Sequence, residues 1–79
     1  MELHNVVPVS ASTRAEVVSM VRRALTRFTD ADLDGDGPLA IITNKDDTVT
    51  PTRVTKKKIV FICHRNGKLV GSAMVVVGS

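Results

Sequence analysis

The stretch VTKKKIVFICHRNGKLVGSAMVVVG, residues 54–78, contains two β-rich runs separated by Asn66-Gly67. Asn-Gly is the pair that best tolerates the positive φ angles of a two-residue type I′ turn. Valine, isoleucine and phenylalanine dominate both runs, and these residues favour strands. The stretch therefore predicts a long antiparallel hairpin at the C-terminal end of the sequence.

The turn also predicts which residues share a face of this hairpin. With Asn66 and Gly67 as the loop, Arg65 faces Lys68 and Cys63 faces Val70. Continuing this register places Phe61 opposite Ser72 and Ile59 opposite Met74, on one face with Val76. The other face then contains Val60, Ile62 and His64 opposite Ala73, Gly71 and Leu69, followed by Val75 and Val77. Both faces are apolar, so both need to be covered.

One amphipathic helix is available to cover the sheet. Thr13 and Glu16 have the spacing of a capping box, which predicts a helix start. The helix is expected to run from about Thr13 to Phe28 or Thr29. Its apolar side repeats at intervals of three or four residues, and Ser19, Arg23 and Arg27 fall on the opposite side. The apolar side is formed by Val17, Met20, Val21, Ala24, Leu25 and Phe28.

The rest of the chain supplies shorter elements. Leu3 to Ser10 is predicted to be a strand, which Pro8 places towards a sheet edge. Leu39 to Thr43 has the composition of a buried strand, and Asn44 to Thr52 is interpreted as a polar connection. The predicted fold class is α+β, with one helix on a mainly antiparallel sheet in the order β-α-β-β-β, as a single domain over residues 1–79.

The hairpin has two apolar faces but only one helix is available to cover them, and this predicts self-association. We expect the helix to cover the face with Phe61 and Met74, and the flatter face to contact another subunit, as in most symmetric soluble oligomers. Sheet-on-sheet packing and edge-to-edge continuation are both compatible with this expectation. In the alternative, the N-terminal strand and the 44–52 connection fold over the second face. The predicted interface residues are Val60, Ile62, Leu69, Ala73, Val75 and Val77.

Charge is unevenly distributed along the 79 residues, whose formal net charge is +3. Both ends are basic, and six aspartates lie between residues 30 and 47. A basic surface favours a phosphate-bearing partner such as RNA or DNA, but tyrosine and tryptophan are absent, so base stacking is not expected. Alternatively, Lys56, Lys57 and Lys58 guard a strand edge against aggregation. The candidate nucleic-acid-binding residues are Arg23, Arg27, Arg53, Lys56, Lys57, Lys58, Arg65 and Lys68.

The segment FTDADLDGDGPLAI, residues 28–41, resembles the first half of an EF-hand calcium loop. Asp32, Asp34 and Asp36 match its first, third and fifth positions, and Gly37 matches the sixth. Thr43 stands at the twelfth position, where the family has a bidentate glutamate. We interpret the segment as an acidic connector, with these three aspartates as weak metal candidates.

Other chemical signals are sparse. Cys63 and His64 are neighbours on a predicted strand, so their side chains should point to opposite faces and cannot form one site. No catalytic motif or cofactor signature is present, and we expect no enzymatic activity and no cofactor. The single cysteine, together with Glu2 and Pro8 where a signal peptide would be basic and apolar, favours a cytoplasmic protein without a membrane association.

The favoured function is therefore a non-catalytic, self-associating structural or interaction protein. A small viral or phage coat or accessory subunit, located in the virion, would suit this size. The alternatives are a basic dimer that contacts the phosphates of nucleic acid without sequence selectivity, and a calcium-binding loop protein.

Overall fold

The structure is a computed structural model and describes residues 2–33 and 37–78. One helix packs on a five-stranded antiparallel sheet, which confirms the predicted α+β class. The strands lie side by side in the order β1-β5-β4-β3-β2, and a 3₁₀ turn at Asp30–Asp32 follows the helix. The elements are β1 (Leu3–Pro8), α1 (Arg14–Leu25), β2 (Ile41–Ile42), β3 (Asp47–Thr55), β4 (Lys58–Arg65) and β5 (Lys68–Val76).

Helix α1 begins as the capping box predicted. The Thr13 side chain accepts a hydrogen bond from the Glu16 backbone N–H at 3.2 Å, and the Glu16 carboxylate accepts one from the Thr13 N–H at 3.3 Å. Together these bonds satisfy two backbone donors of the first turn. The regular helix ends at Leu25, earlier than expected.

The hydrophobic core lies between α1 and one face of the sheet. Val17, Met20, Val21 and Ala24 of the helix are fully buried there. Phe61 fills the centre and meets Phe28 edge to face, with the ring centroids 5.6 Å apart. The sheet contributes Ile41, Val49, Ile59, Phe61, Cys63, Val70, Ala73 and Val75 to this core.

The C-terminal hairpin forms as predicted, but a bulge changes its register. Asn66 and Gly67 have φ angles of 52° and 76°, and Arg65 pairs with Lys68. Beyond the turn the pairing shifts, so that Cys63 faces Gly71 instead of Val70. One extra residue in a strand reverses the side of every residue that follows it.

Because of the bulge, the residues of β5 beyond it lie on the faces opposite to those predicted. Ala73 and Val75, predicted at the subunit interface, are buried beneath α1 at 1% and 0% exposure. Met74 and Val76, predicted beneath the helix, lie on the opposite face. Strand β4 agrees with the prediction, since Ile59 and Phe61 face the helix.

Strand β3 replaces the connection predicted for residues 44–52. Its inward residues Asp47, Val49 and Pro51 are buried and alternate with threonines. Pro51 lacks an N–H donor, but β2 pairs only with Thr48 and Val49, so this position has no partner strand on that side. Neither this segment nor β1 folds over the second face, because both are strands of the sheet.

Replacing Gly71 with alanine should destabilise the fold strongly. A Cβ atom there would lie 2.5 Å from the Val7 carbonyl oxygen and 2.6 Å from Val17 Cγ2, and the φ angle is +157°. Overpacking of this kind costs about 1–3 kcal/mol. We expect urea denaturation to show a loss of about 2 kcal/mol for Gly71→Ala.

The matched control is Ser72→Ala, one residue along the same strand on the opposite face. It should change the free energy of unfolding by less than about 0.5 kcal/mol. Equal stability of Gly71→Ala and the wild type would show that α1 does not approach β5 this closely.

Candidate interaction surfaces

The sheet face opposite α1, here called the open face, has no described element packed over it. The strand register brings together aliphatic side chains and a row of threonines on this face. Val60 and Ile62 lie at its centre, between β3 and β5. The open face comprises Val7, Ile42, Thr48, Thr50, Thr52, Lys58, Val60, Ile62, His64, Ser72, Met74 and Val76.

Several apolar residues of the open face are accessible to solvent. Ile42 is 65% exposed and Val7 is 51% exposed, while Val60, Ile62 and Met74 are half-buried by their neighbours in the sheet. Of the other predicted interface residues, Leu69 lies at the bulge and Val77 follows β5, where its N–H donates to the Lys57 carbonyl. An apolar area of this kind is typical of an interaction surface.

The two edges of the sheet are less suited to pairing with another chain. Strand β2 has only two residues, and the part of β3 that extends beyond it contains Pro51 and an irregularity between Arg53 and Thr55. Strand β1 contains Pro8, and its register is interrupted between His4 and Val7, where Asn5 has a φ of 50°. Short strands, prolines and bulges all oppose edge-to-edge association.

The eight candidate nucleic-acid-binding residues do not form one surface. Arg23 and Arg27 belong to the helix and the turn after it. Arg53, Lys56, Lys57 and Lys58 surround the β3–β4 turn, at the end of β4 opposite to Arg65 and Lys68. The Arg53 guanidinium donates to the Lys56 carbonyl at 3.1 Å, which helps to close that turn.

Arg65 is engaged in an ion-pair network. Its Nε and Nη2 donate to the Asp47 carboxylate at 2.8 and 3.2 Å, and its Nη1 donates to Glu16 at 3.2 Å. Arg23 Nη2 lies 3.7 Å from the same Asp47 carboxylate. Because Glu16 and Arg23 are on α1, the network joins the helix to β3 and β4.

Asp47 is the buried centre of this network, with a side chain that is only 5% exposed. Hydrogen bonds from Arg65 hold the pKa of this carboxyl below its ordinary value of 3.8, against the opposing effect of burial. Asp47 falls in the segment that was predicted to be a polar connection, and nothing in the sequence alone distinguished it from the other aspartates. Its position two residues before Val49, on the buried side of a strand, is the signal that could have identified it.

Cys63 and His64 point to opposite faces of β4, as predicted. Cys63 is fully buried in the core, and burial raises the pKa of its thiol to about 11. His64 pairs with Thr48 on the open face. A buried thiol with a raised pKa is a poor nucleophile at neutral pH.

The predicted calcium candidates lie partly outside the described residues, since Asp34 and Asp36 belong to residues 34–36. Asp32 is described, and its carboxylate accepts a hydrogen bond from the Thr29 N–H at 2.8 Å. Within residues 2–33 and 37–78, no group of three or more His, Cys, Asp or Glu side chains is placed to bind a metal ion.

Comparisons with known proteins do not assign this chain to a family. No family model matches it, and neither a curated protein nor a solved structure shows significant similarity. In the part of the chain that the structure describes, no helix has the length and apolar character required to cross a membrane. The open face is therefore the basis for a functional proposal.

Replacing Asp47 with asparagine should reduce stability in a pH-dependent manner. At pH 7 the variant loses charge-assisted hydrogen bonds to Arg65, which are worth about 1.5–3 kcal/mol. Since the folded-state pKa of Asp47 is lowered, its contribution is complete above pH 3.8 and is lost as the pH falls further. Urea denaturation should therefore show a difference of about 2 kcal/mol at pH 7 that shrinks towards pH 2.

Asp46→Asn is the matched control, because Asp46 is the exposed neighbour of Asp47. It should stay within about 0.5 kcal/mol of the wild type at pH 7. An Asp47→Asn variant as stable as this control would contradict the role of the network.

Proposed function

We propose that this chain is a non-catalytic structural or interaction protein that associates with a second copy of itself through the open face. The observation that carries the proposal is the one-sided coverage of the sheet. Helix α1 covers Phe61 and its neighbours, whereas Val60, Ile62 and Met74 on the other side have no described element over them. Fully burying an aliphatic side chain is worth about 1.5–3 kcal/mol, which provides a driving force for association.

The dimensions of the molecule are compatible with such an interface. Its principal-axis extents are 32 × 24 × 19 Å. The product of the two longer extents is comparable to the roughly 800 Å² that each partner contributes to a standard protein interface.

The chemistry of the open face favours another copy of the same face as its partner. Lys58 is the one permanently charged side chain among its described residues, and it lies at the β4 terminus. The centre contains Val60, Ile62 and Met74 together with threonines. A threonine side chain can pack through its methyl group or form a hydrogen bond through its hydroxyl group. A two-fold axis brings identical patches together, so a patch without strong charge avoids like-charge repulsion.

Sheet-on-sheet packing is the arrangement that the geometry supports best. Two such faces can stack about 10 Å apart with their strands rotated by about 30°. The short β2 and the interrupted β1 make an edge-to-edge dimer less favourable. In a stacked dimer, both α1 helices lie on the outside.

Replacing Ile62 with lysine should dissociate the proposed dimer. The charge would be placed at the centre of a dry interface, where a single unfavourable residue costs at least about 2 kcal/mol, or roughly 30-fold in Kd. In sedimentation velocity at tens of micromolar, the wild type should have twice the mass of the 8.5 kDa chain. Ile62→Lys should sediment as a monomer with an unchanged far-UV circular dichroism spectrum.

Leu39→Lys is the matched control, since Leu39 is 58% exposed but precedes β2 and lies outside the open face. This variant should remain dimeric. A wild-type protein that is monomeric at these concentrations would overturn the proposal, and so would a dimer that both variants disrupt equally.

A further inference from the structure

The exposed side of α1 carries a second surface, here called the arginine face. It comprises Arg14, Arg22, Arg23 and Arg27, together with Ala15, Val18, Ser19 and Thr26. No acidic side chain is among these residues. Sequence analysis selected Arg23 and Arg27 and missed Arg14 and Arg22, although Arg14, Val18 and Arg22 follow the four-residue spacing of one helix side.

The four arginines differ in how they are held. Arg23 donates to the Ser19 hydroxyl at 2.7 Å and approaches Asp47, and Arg27 donates to the Ile42 carbonyl. The side chains of Arg14 and Arg22 are exposed, and their guanidinium groups form no hydrogen bond or ion pair with another described residue. Two guanidinium groups are therefore fixed and two are available to a ligand.

Described acidic side chains border this surface, and one of them is Asp47, 3.7 Å from Arg23 Nη2. Glu2 lies with Arg14 and Arg22 around an adjacent depression of about 300 Å³ between α1 and β1. Its carboxylate is 3.8 Å from His4 Nε2 and is not paired with either arginine. None of the described carboxylates forms an ion pair with Arg14 or Arg22, so this part of the surface remains positive.

The composition of the arginine face indicates a phosphate-bearing partner. Arginine binds phosphate through two parallel hydrogen bonds, and the face has no aromatic side chain that could anchor a protein partner or stack on a base. Val18 and Ala15 are its only apolar residues.

Arg14 and Arg22 are eight residues apart on the exposed side of α1, which places them about 12 Å apart along the helix axis. The major groove of B-form DNA is about 12 Å wide and admits an α-helix, with phosphates along both walls. We propose that the arginine face binds the phosphate backbone of duplex DNA, with α1 lying along the major groove and without reading the sequence.

This inference does not depend on self-association through the open face. The arginine face and the open face lie on opposite sides of the molecule, because α1 covers one side of the sheet and the open face is the other. A stacked dimer would leave both arginine faces exposed. DNA binding can therefore be tested in the monomeric Ile62→Lys variant as well as in the wild type.

Fluorescence anisotropy with a labelled 20-base-pair duplex in 50 mM salt tests the proposal. Arg14→Gln combined with Arg22→Gln should weaken binding at least about tenfold and reduce the slope of log K against log salt by about 2, one step for each lost phosphate contact. A second duplex of scrambled sequence should bind with the same affinity. Glu2→Gln should tighten binding roughly twofold, since it removes the bordering negative charge.

Lys56→Gln combined with Lys57→Gln is the control, because it removes two charges at the β3–β4 turn instead of the helix. This variant should bind within about threefold of the wild type and keep nearly the same salt slope. Three results would overturn the proposal. They are no binding by the wild type at 100 µM, equal losses in the two double variants, or displacement of the duplex by a polyglutamate peptide at equal charge concentration.

Discussion

The close approach of α1 to β5 at Gly71 is the contact on which the arrangement of the molecule depends. Val17 of the helix and the Val7 carbonyl of β1 occupy the space that a side chain at this position would need. The bulge beside Gly71 shifts the register of β5 by one residue and turns Ala73 and Val75 towards the helix. Small residues thus lie where the helix is closest, and the larger Met74 is displaced to the open face.

A second interaction holds the helix on the same face of the sheet, over β3 and β4. Asp47 on β3 receives two hydrogen bonds from Arg65 on β4, and Glu16 and Arg23 extend the network to α1. Within this network, the opposite charges of Arg65 and Asp47 pair with each other. Arg14 and Arg22 of the helix are exposed, so the molecule presents basic side chains on one side and an apolar sheet face on the other.

Much of the fold can be predicted from local signals in the sequence. The Asn66-Gly67 turn and the Thr13–Glu16 capping box are short-range patterns, and both appear as expected. The bulge could not be predicted, because it depends on the packing of Val17 against a distant glycine. Strand β3 was missed because Pro51 resembles a loop residue unless the length of β2 is known. The pairing of Asp47 with Arg65 likewise requires the register of two strands, and so does the placement of Met74 on the open face.

An isotope-filtered NOE experiment on a mixture of methyl-labelled and unlabelled chains tests most directly whether the face of the sheet that α1 leaves uncovered contacts a second copy. If the open faces meet across a two-fold axis, intermolecular NOEs should link the methyl groups of Met74, Ile62 and Val60. Ala73 and Val75 should show only intramolecular NOEs to the helix. Intermolecular NOEs that involve Ala73 or Val75, or none at all between open-face methyl groups, would contradict contact between the open faces.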